Sequence, residues 1–127
     1  MNKKIIFVDD EEGILELYQD IFDASDYQVF TSSNPKQALK TIQEEKIQVM
    51  FFDLRMPEMD GIELCREIRD KNNIAIIHAV TGYSSLFELA DIREAGFDEY
   101  FSKPIHPSEL VSSADRAFEK LERWTKN

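Results

Sequence analysis

Residues 49–61 read VMFFDLRMPEMDG. Four apolar residues, Val49 to Phe52, run straight into the carboxylate of Asp53, and an arginine, a proline and an Asp-Gly pair follow. A short unbroken apolar run bounded by turn residues marks a strand buried on both faces. Such a strand belongs to a parallel sheet covered by helices. A charge at its carboxyl end therefore needs a reason.

The same alternation recurs on both sides of this stretch. Ile5–Val8 reads as a buried strand, and Ile14, Leu17, Tyr18, Ile21 and Phe22 then fall at helical spacing. Tyr27–Phe30 is the second strand. Asn34-Pro35-Lys36-Gln37 opens a helix, with Asn34 as cap, Pro35 at the first helical position and Gln37 reaching back. Ala38, Leu39 and Ile42 form its inner stripe. After the strand at Val49–Phe52, Asp60 caps a helix that runs through Arg69. Ile74–Val80 is the fourth strand. Ser85-Leu86-Phe87-Glu88 is a capping box for a helix that Gly96 closes. Tyr100–Ser102 is the fifth strand. Pro107-Ser108-Glu109 opens the last helix, with Leu110, Val111, Ala114, Ala117, Phe118 and Leu121 on one face. Strands alternating with helices predict an α/β fold, a doubly wound five-stranded parallel sheet with five helices and right-handed crossovers. One domain is expected over residues 1–124, with 125–127 as a polar tail.

Composition narrows the function. The chain has 127 residues, 43% of them hydrophobic and 31% charged, with a formal net charge of −10. A chain of this length buries roughly two-thirds of its unfolded surface. The negative charge argues against direct nucleic-acid binding and against an anionic membrane surface. No apolar stretch approaches the roughly 20 residues of a membrane span, and the apolar run after Lys3-Lys4 is too short for a signal peptide. The single cysteine, Cys65, fits a reducing cytoplasm and reads as a small helix residue.

In an open parallel sheet, chemistry gathers at the carboxyl ends of the strands. Asp9 and Asp10 stand at the first such end, Asp53 at the third, Thr81 and Gly82 at the fourth, and Lys103 and Pro104 at the fifth. Three crowded carboxylates need a cation. Two carboxylates, a carbonyl and waters suit Mg²⁺, for which Mn²⁺ can substitute. A carboxylate can also attack phosphorus, and the developing charge then calls for a metal, a lysine and a hydroxyl. Asp53, Lys103 and Thr81 suit those roles.

The chain resembles the receiver domain of two-component response regulators over essentially its whole length. The residues carrying the likeness are Val8-Asp9-Asp10-Glu11, Asp53-Leu54-Arg55-Met56-Pro57-Glu58-Met59-Asp60-Gly61, Thr81-Gly82, Ala95-Gly96 and Lys103-Pro104. The resemblance implies a flavodoxin-like fold with strand order 2-1-3-4-5. It implies Asp53 as phosphoacceptor and Mg²⁺ on Asp10, Asp53 and the main-chain carbonyl of Arg55, with Asp9 acting largely through water. Thr81 and Tyr100 would be the switch pair. Lys103 would hold the carboxylate and then the phosphoryl group, and the Lys103-Pro104 peptide would be cis. The donor would be a sensor histidine kinase or phosphotransfer protein. The output would be a changed surface on the fourth helix, fifth strand and fifth helix, for a target protein or a homodimer. Arg55, reaching a phosphoryl oxygen or Glu58, and Tyr83 would flank the mouth of the site and slow loss of the phosphoryl group. A receiver performs only its own phosphorylation and dephosphorylation, so no separate enzyme activity is expected.

Other readings stand beside this one. An aspartate-nucleophile phosphatase of haloacid-dehalogenase type usually carries a second acid two residues after the nucleophile; here that position is Arg55, which cannot act as an acid/base at neutral pH. A flavodoxin-like binding module needs a Ser/Thr/Gly phosphate loop after the first strand, where Asp9-Asp10-Glu11-Glu12 would repel phosphate. Asp9 and Asp10 also read as helix-start residues, Thr81 as an ordinary strand residue and Tyr100 as core. His78 reads as a packed, hydrogen-bonded core histidine and His106 as structural. The chain is either a stand-alone regulator or part of a larger protein.

Overall fold

The computed structural model describes residues 3–82 and 86–125, with the side chains of Leu86, Phe87 and Thr125 outside that description. The strands are β1 (Lys4–Val8), β2 (Gln28–Ser32), β3 (Val49–Asp53), β4 (Ile76–Thr81) and β5 (Glu99–Ser102). The helices are α1 (Glu12–Ile21), α2 (Pro35–Glu45), α3 (Gly61–Lys71), α4 (Leu86–Ala95) and α5 (Pro107–Thr125). The strands form one sheet in the order β2-β1-β3-β4-β5, every pair parallel. The doubly wound α/β prediction is therefore met, with the strand order reversing between β1 and β3. No described helix is long and apolar enough to cross a membrane.

Alternating side chains divide the core into two layers, because successive strand residues point to opposite faces. Ile5, Phe7, Val49 and Phe51 pack with Leu15, Tyr18 and Phe22 of the α1 region and with Leu110, Ala114, Phe118 and Leu121 of α5. Ile6, Val8, Met50 and Phe52 pack with Ala38 and Ile42 of α2 and with Leu64, Cys65 and Ile68 of α3. A third, small cluster of Leu54, Ala79 and Ile92, flanked by Leu89 and Tyr100, lies under α4.

Local chemistry sets the element ends. Asp60 Oδ1 accepts the Glu63 amide at 2.9 Å, as expected of an N-cap. Asn34 Oδ1 accepts the Gln37 amide at 3.1 Å, but the Asn34 amide donates to Ser32 Oγ at 3.2 Å, so Ser32 fills the place expected for the Gln37 side chain. Gly96 closes α4 at φ +104°, and a Cβ there would lie 2.9 Å from Arg69 Cγ. The capping box expected at Ser85 lies outside the described residues.

Three expectations shift. The α1 stripe uses Leu15, Tyr18 and Phe22, spaced three and four apart, whereas Leu17 turns outward at 52% exposure. Ile74 is also outside its expected strand, at 63% exposure. Asn72 Oδ1 accepts the amides of Ile74 and Ala75 and holds them in a turn, so β4 starts at Ile76. β2 starts one residue later than expected, at Gln28, and ends two later, at Ser32; Tyr27 is drawn instead into tilted ring contacts with Phe22 and Phe118 at 5.5 and 5.1 Å.

Candidate functional site

The carboxyl ends of β1 and β3 lie side by side at the reversal of strand order, where a doubly wound sheet leaves a crevice. Asp9 follows β1 and is buried, Asp53 ends β3 and is buried, and Asp10 is exposed at the rim. One carboxylate oxygen from each of the three lies within 4.8 Å of the others. The crowding expected from the strand ends is therefore met, and the parallel β1–β3 register creates it.

Lys103 enters the cluster from the end of β5. Its amide donates to the Thr81 carbonyl at 2.8 Å, and the Lys103-Pro104 peptide is cis, as expected. The Lys103 ammonium donates to Asp9 Oδ2 at 2.7 Å and lies 3.5 Å from Asp53 Oδ2. Burial pulls the lysine pKa down. The hydrogen bond to Asp9 and the charges of Asp9 and Asp53 outweigh that, so the net shift is upward. Asp53 also moves upward, first through burial and then through Asp9, with Lys103 and the Arg55 amide opposing. Three carboxylates thus meet one bonded ammonium, an excess of negative charge that a divalent cation would relieve. The donor set suits Mg²⁺, being all oxygen with an open rim at Asp10.

The loop after Asp53 folds back over its own strand. The Arg55 amide donates to Asp53 Oδ1 at 3.4 Å, and the Gly61 amide donates to the Leu54 carbonyl at 3.1 Å. Asp9 Oδ1 also accepts the Glu11 amide at 2.9 Å, so Asp9 helps to start α1, and the Glu11 N-cap has no side-chain cap bond.

Thr81 is buried at the end of β4, one residue beyond Val80, the register partner of Asp53. Tyr100 is half-buried on β5 against the cluster under α4, and its hydroxyl lies 3.2 Å from Ser102 Oγ. The Arg55 guanidinium does not turn to Glu58: it pairs with Glu88 in the first turn of α4, and Glu58 sits in the loop at a positive φ of 69°. Tyr83 lies outside the described residues.

One participant was hidden in the sequence. Glu88 looked like a capping residue, and only the placement of α4 makes it a partner of Arg55. Tyr18 looked like core. It is core, packed on Phe7, and burial pushes its hydroxyl up to about 12, with the charges of Lys103, Asp9 and Asp53 also acting on it. His78 is as expected: buried, stacked on Phe51 at 3.9 Å, with Nδ1 2.9 Å from the Met50 carbonyl. Cys65 is buried, and its thiol is pushed up to about 12 by that burial, so it is not a reactive thiolate.

The known proteins agree with this picture. The family model for the response regulator receiver domain matches residues 5–115. The alkaline phosphatase synthesis transcriptional regulatory protein PhoP of Bacillus subtilis (strain 168) is 38% identical over 110 residues, covering 87% of this chain and 46% of that protein. Sporulation initiation phosphotransferase F of the same organism is 35% identical over 112 residues, covering 87% of this chain and 89% of that protein. The chain thus spans about half the length of the first relative and most of the second. The crystal structure of a CheY-like response regulator receiver domain protein from Methanospirillum hungatei JF-1 superposes with a TM-score of 0.91 at 28% identity, covering 97% of this chain and 98% of that one. Neither the phosphatase nor the flavodoxin-like reading is favoured by these relatives. With a likeness this extensive in both sequence and backbone, the chain belongs to the response regulator receiver domains, which serve phosphorylation-dependent signalling in two-component systems.

Proposed function

We propose that Asp53 is the phosphoacceptor of this receiver. The observation that carries the reading is the unequal grip of Lys103: 2.7 Å to Asp9 and 3.5 Å to Asp53. Asp9 takes the tight ion pair, and Asp53 keeps a carboxylate that is near a positive charge without being spent on it. An Asp53 oxygen attacks the phosphorus of a phosphohistidine. The new bond is O–P, the P–N bond breaks, and its electron pair stays on the departing imidazole. Lys103 is in reach to follow the negative charge from the Asp53 carboxylate to the phosphoryl oxygens.

Asp10, Asp53 and the main-chain carbonyl of Arg55 would hold Mg²⁺, with Asp9 acting through water. When bound, that ion supplies positive charge for the crowded carboxylates and the phosphoryl oxygens. Thr81 and Tyr100 form the switch pair: the Thr81 hydroxyl turns to the phosphoryl group and Tyr100 follows inward, changing the surface of α4, β5 and α5. A target protein or a second copy of the chain reads that surface. The donor is a sensor histidine kinase or phosphotransfer protein in the cytoplasm. The only chemistry of the domain is its own phosphorylation and dephosphorylation, and the domain spans residues 1–124.

The test is labelling by a small phosphodonor. With Mg²⁺, wild type should gain one acid-stable, base-labile phosphoryl group. Asp53→Asn or chelation of the metal should reduce labelling at least about tenfold, the effect of roughly 1.4 kcal/mol on a barrier. Equal labelling of Asp53→Asn would remove the assignment.

A further inference from the structure

We propose that the Arg55–Glu88 ion pair is a latch on α4 that a phosphoryl group on Asp53 opens. The inference rests on the phosphoacceptor reading and adds a competition between two anions for one guanidinium.

The geometry places Arg55 between the two. Its main chain is already at the acceptor, because its amide donates to Asp53 Oδ1 at 3.4 Å. Its side chain leaves the site and pairs with Glu88 in the first turn of α4. The pair is half-open to solvent, with side-chain exposures of 60% for Arg55 and 25% for Glu88, so exchange of partners needs no repacking of the core. A phosphoryl group carries nearly two negative charges and three acceptor oxygens, against one charge and two oxygens on Glu88. Guanidinium forks match phosphoryl oxygens geometrically as well as they match carboxylates. Once Asp53 is loaded, the stronger anion lies two residues from Arg55 along the chain.

The mooring of α4 makes this exchange consequential. Among described side chains, α4 buries only Ile92 and Ala95, while α5 buries Leu110, Ser113, Ala114, Ala117, Phe118 and Leu121. The cluster beneath α4 is the small group of Leu54, Ala79 and Ile92, against which Tyr100 also packs. With few buried apolar side chains among those described on α4, the ion pair at its first turn adds to what holds the helix in place. Its loss loosens the edge beside Tyr100. Arg55 thereby acts as a positioning residue with two stations, and Glu88 defines the resting one.

Thermodynamic reciprocity supplies the test. If loading must break the pair, then removing Glu88's charge favours loading by the factor that the pair contributed to the unloaded state. Exposed pairs contribute factors of about 1.5 to 5. The probe is beryllofluoride with Mg²⁺, titrated into the full chain and followed by fluorine NMR. Glu88→Gln should tighten binding about 1.5- to 5-fold. The same substitution in an Arg55→Gln background should change nothing, which separates the latch from a general effect of removing one negative charge near an anion site. Unchanged or weaker binding in Glu88→Gln, or equal tightening in both backgrounds, would overturn the latch while leaving the acceptor in place. Absence of any beryllofluoride binding to wild type would overturn the acceptor reading and the latch together.

Discussion

Lys103 and His78 show how single residues in this domain are set by what surrounds them. Lys103 is a charge held in place by acids, and its upward shift comes from Asp9 and Asp53. His78 is the opposite case: burial lowers its pKa from the ordinary 6.5, with Asp98 and Glu99 raising it and Arg116 lowering it. The sign follows from linkage. The folded state keeps His78 neutral while the unfolded chain binds a proton below 6.5, so the stability associated with the neutral ring is present above that pH and is lost as pH falls. Wild type should therefore lose stability below pH 6.5 with up to about 1.4 kcal/mol per pH unit from this group. In His78→Phe, which keeps a ring against Phe51, that component should be gone. Urea melts at several pH values check this; parallel slopes for the two proteins would remove His78 as the source. The histidine's role was legible beforehand from its place in an apolar strand, whereas its partner, the Met50 carbonyl, required the β3–β4 pairing.

At the scale of elements, the join between β3 and α3 carries the tightest constraint. A Cβ at Gly61 would lie 2.3 Å from the Asp53 carbonyl oxygen and 3.0 Å from Leu54 Cα. Backbone cannot yield as a flexible side chain would, so Gly61→Ala must push α3 away from the strand that presents Asp53. The expected cost is about 1–3 kcal/mol, read as a lower urea midpoint. A midpoint equal to wild type would show that the loop relaxes freely. The Asp-Gly pair that marked this join in the sequence thus has a steric cause as well as a capping one: Asp60 caps and Gly61 clears the strand. Helix starts with Asx caps were readable because their partners are three residues away. β2 and β4 were misjudged at their beginnings because Tyr27 and Ile74 are apolar, and apolar character alone does not say whether a residue extends a strand. The ring partners of Tyr27 and the Asn72 turn decide those cases.

For the whole molecule, the parallel sheet is what turns scattered residues into one site. Asp9, Asp53 and Lys103 are far apart in sequence, yet β1, β3 and β5 deliver them to one end of the sheet, with Lys103 crossing to the first two. Strand ends were legible from apolar runs stopping at polar residues, and so was the site's inventory. The destination of Arg55 was not, because nothing local to residues 53–61 encodes the position of α4. A charge added at Asp53 is thereby expected to change a surface on the far side of β4. The most direct measurement is a comparison of backbone amide chemical shifts for the full chain before and after Mg²⁺-dependent phosphorylation. Changes are expected around Asp53 that continue through described residues of α4, β5 and α5, while the α2–β3 connection around Lys46 and Ile47 stays unmoved. Changes confined to the immediate neighbours of Asp53, with α4, β5 and α5 unaltered, would contradict that expectation.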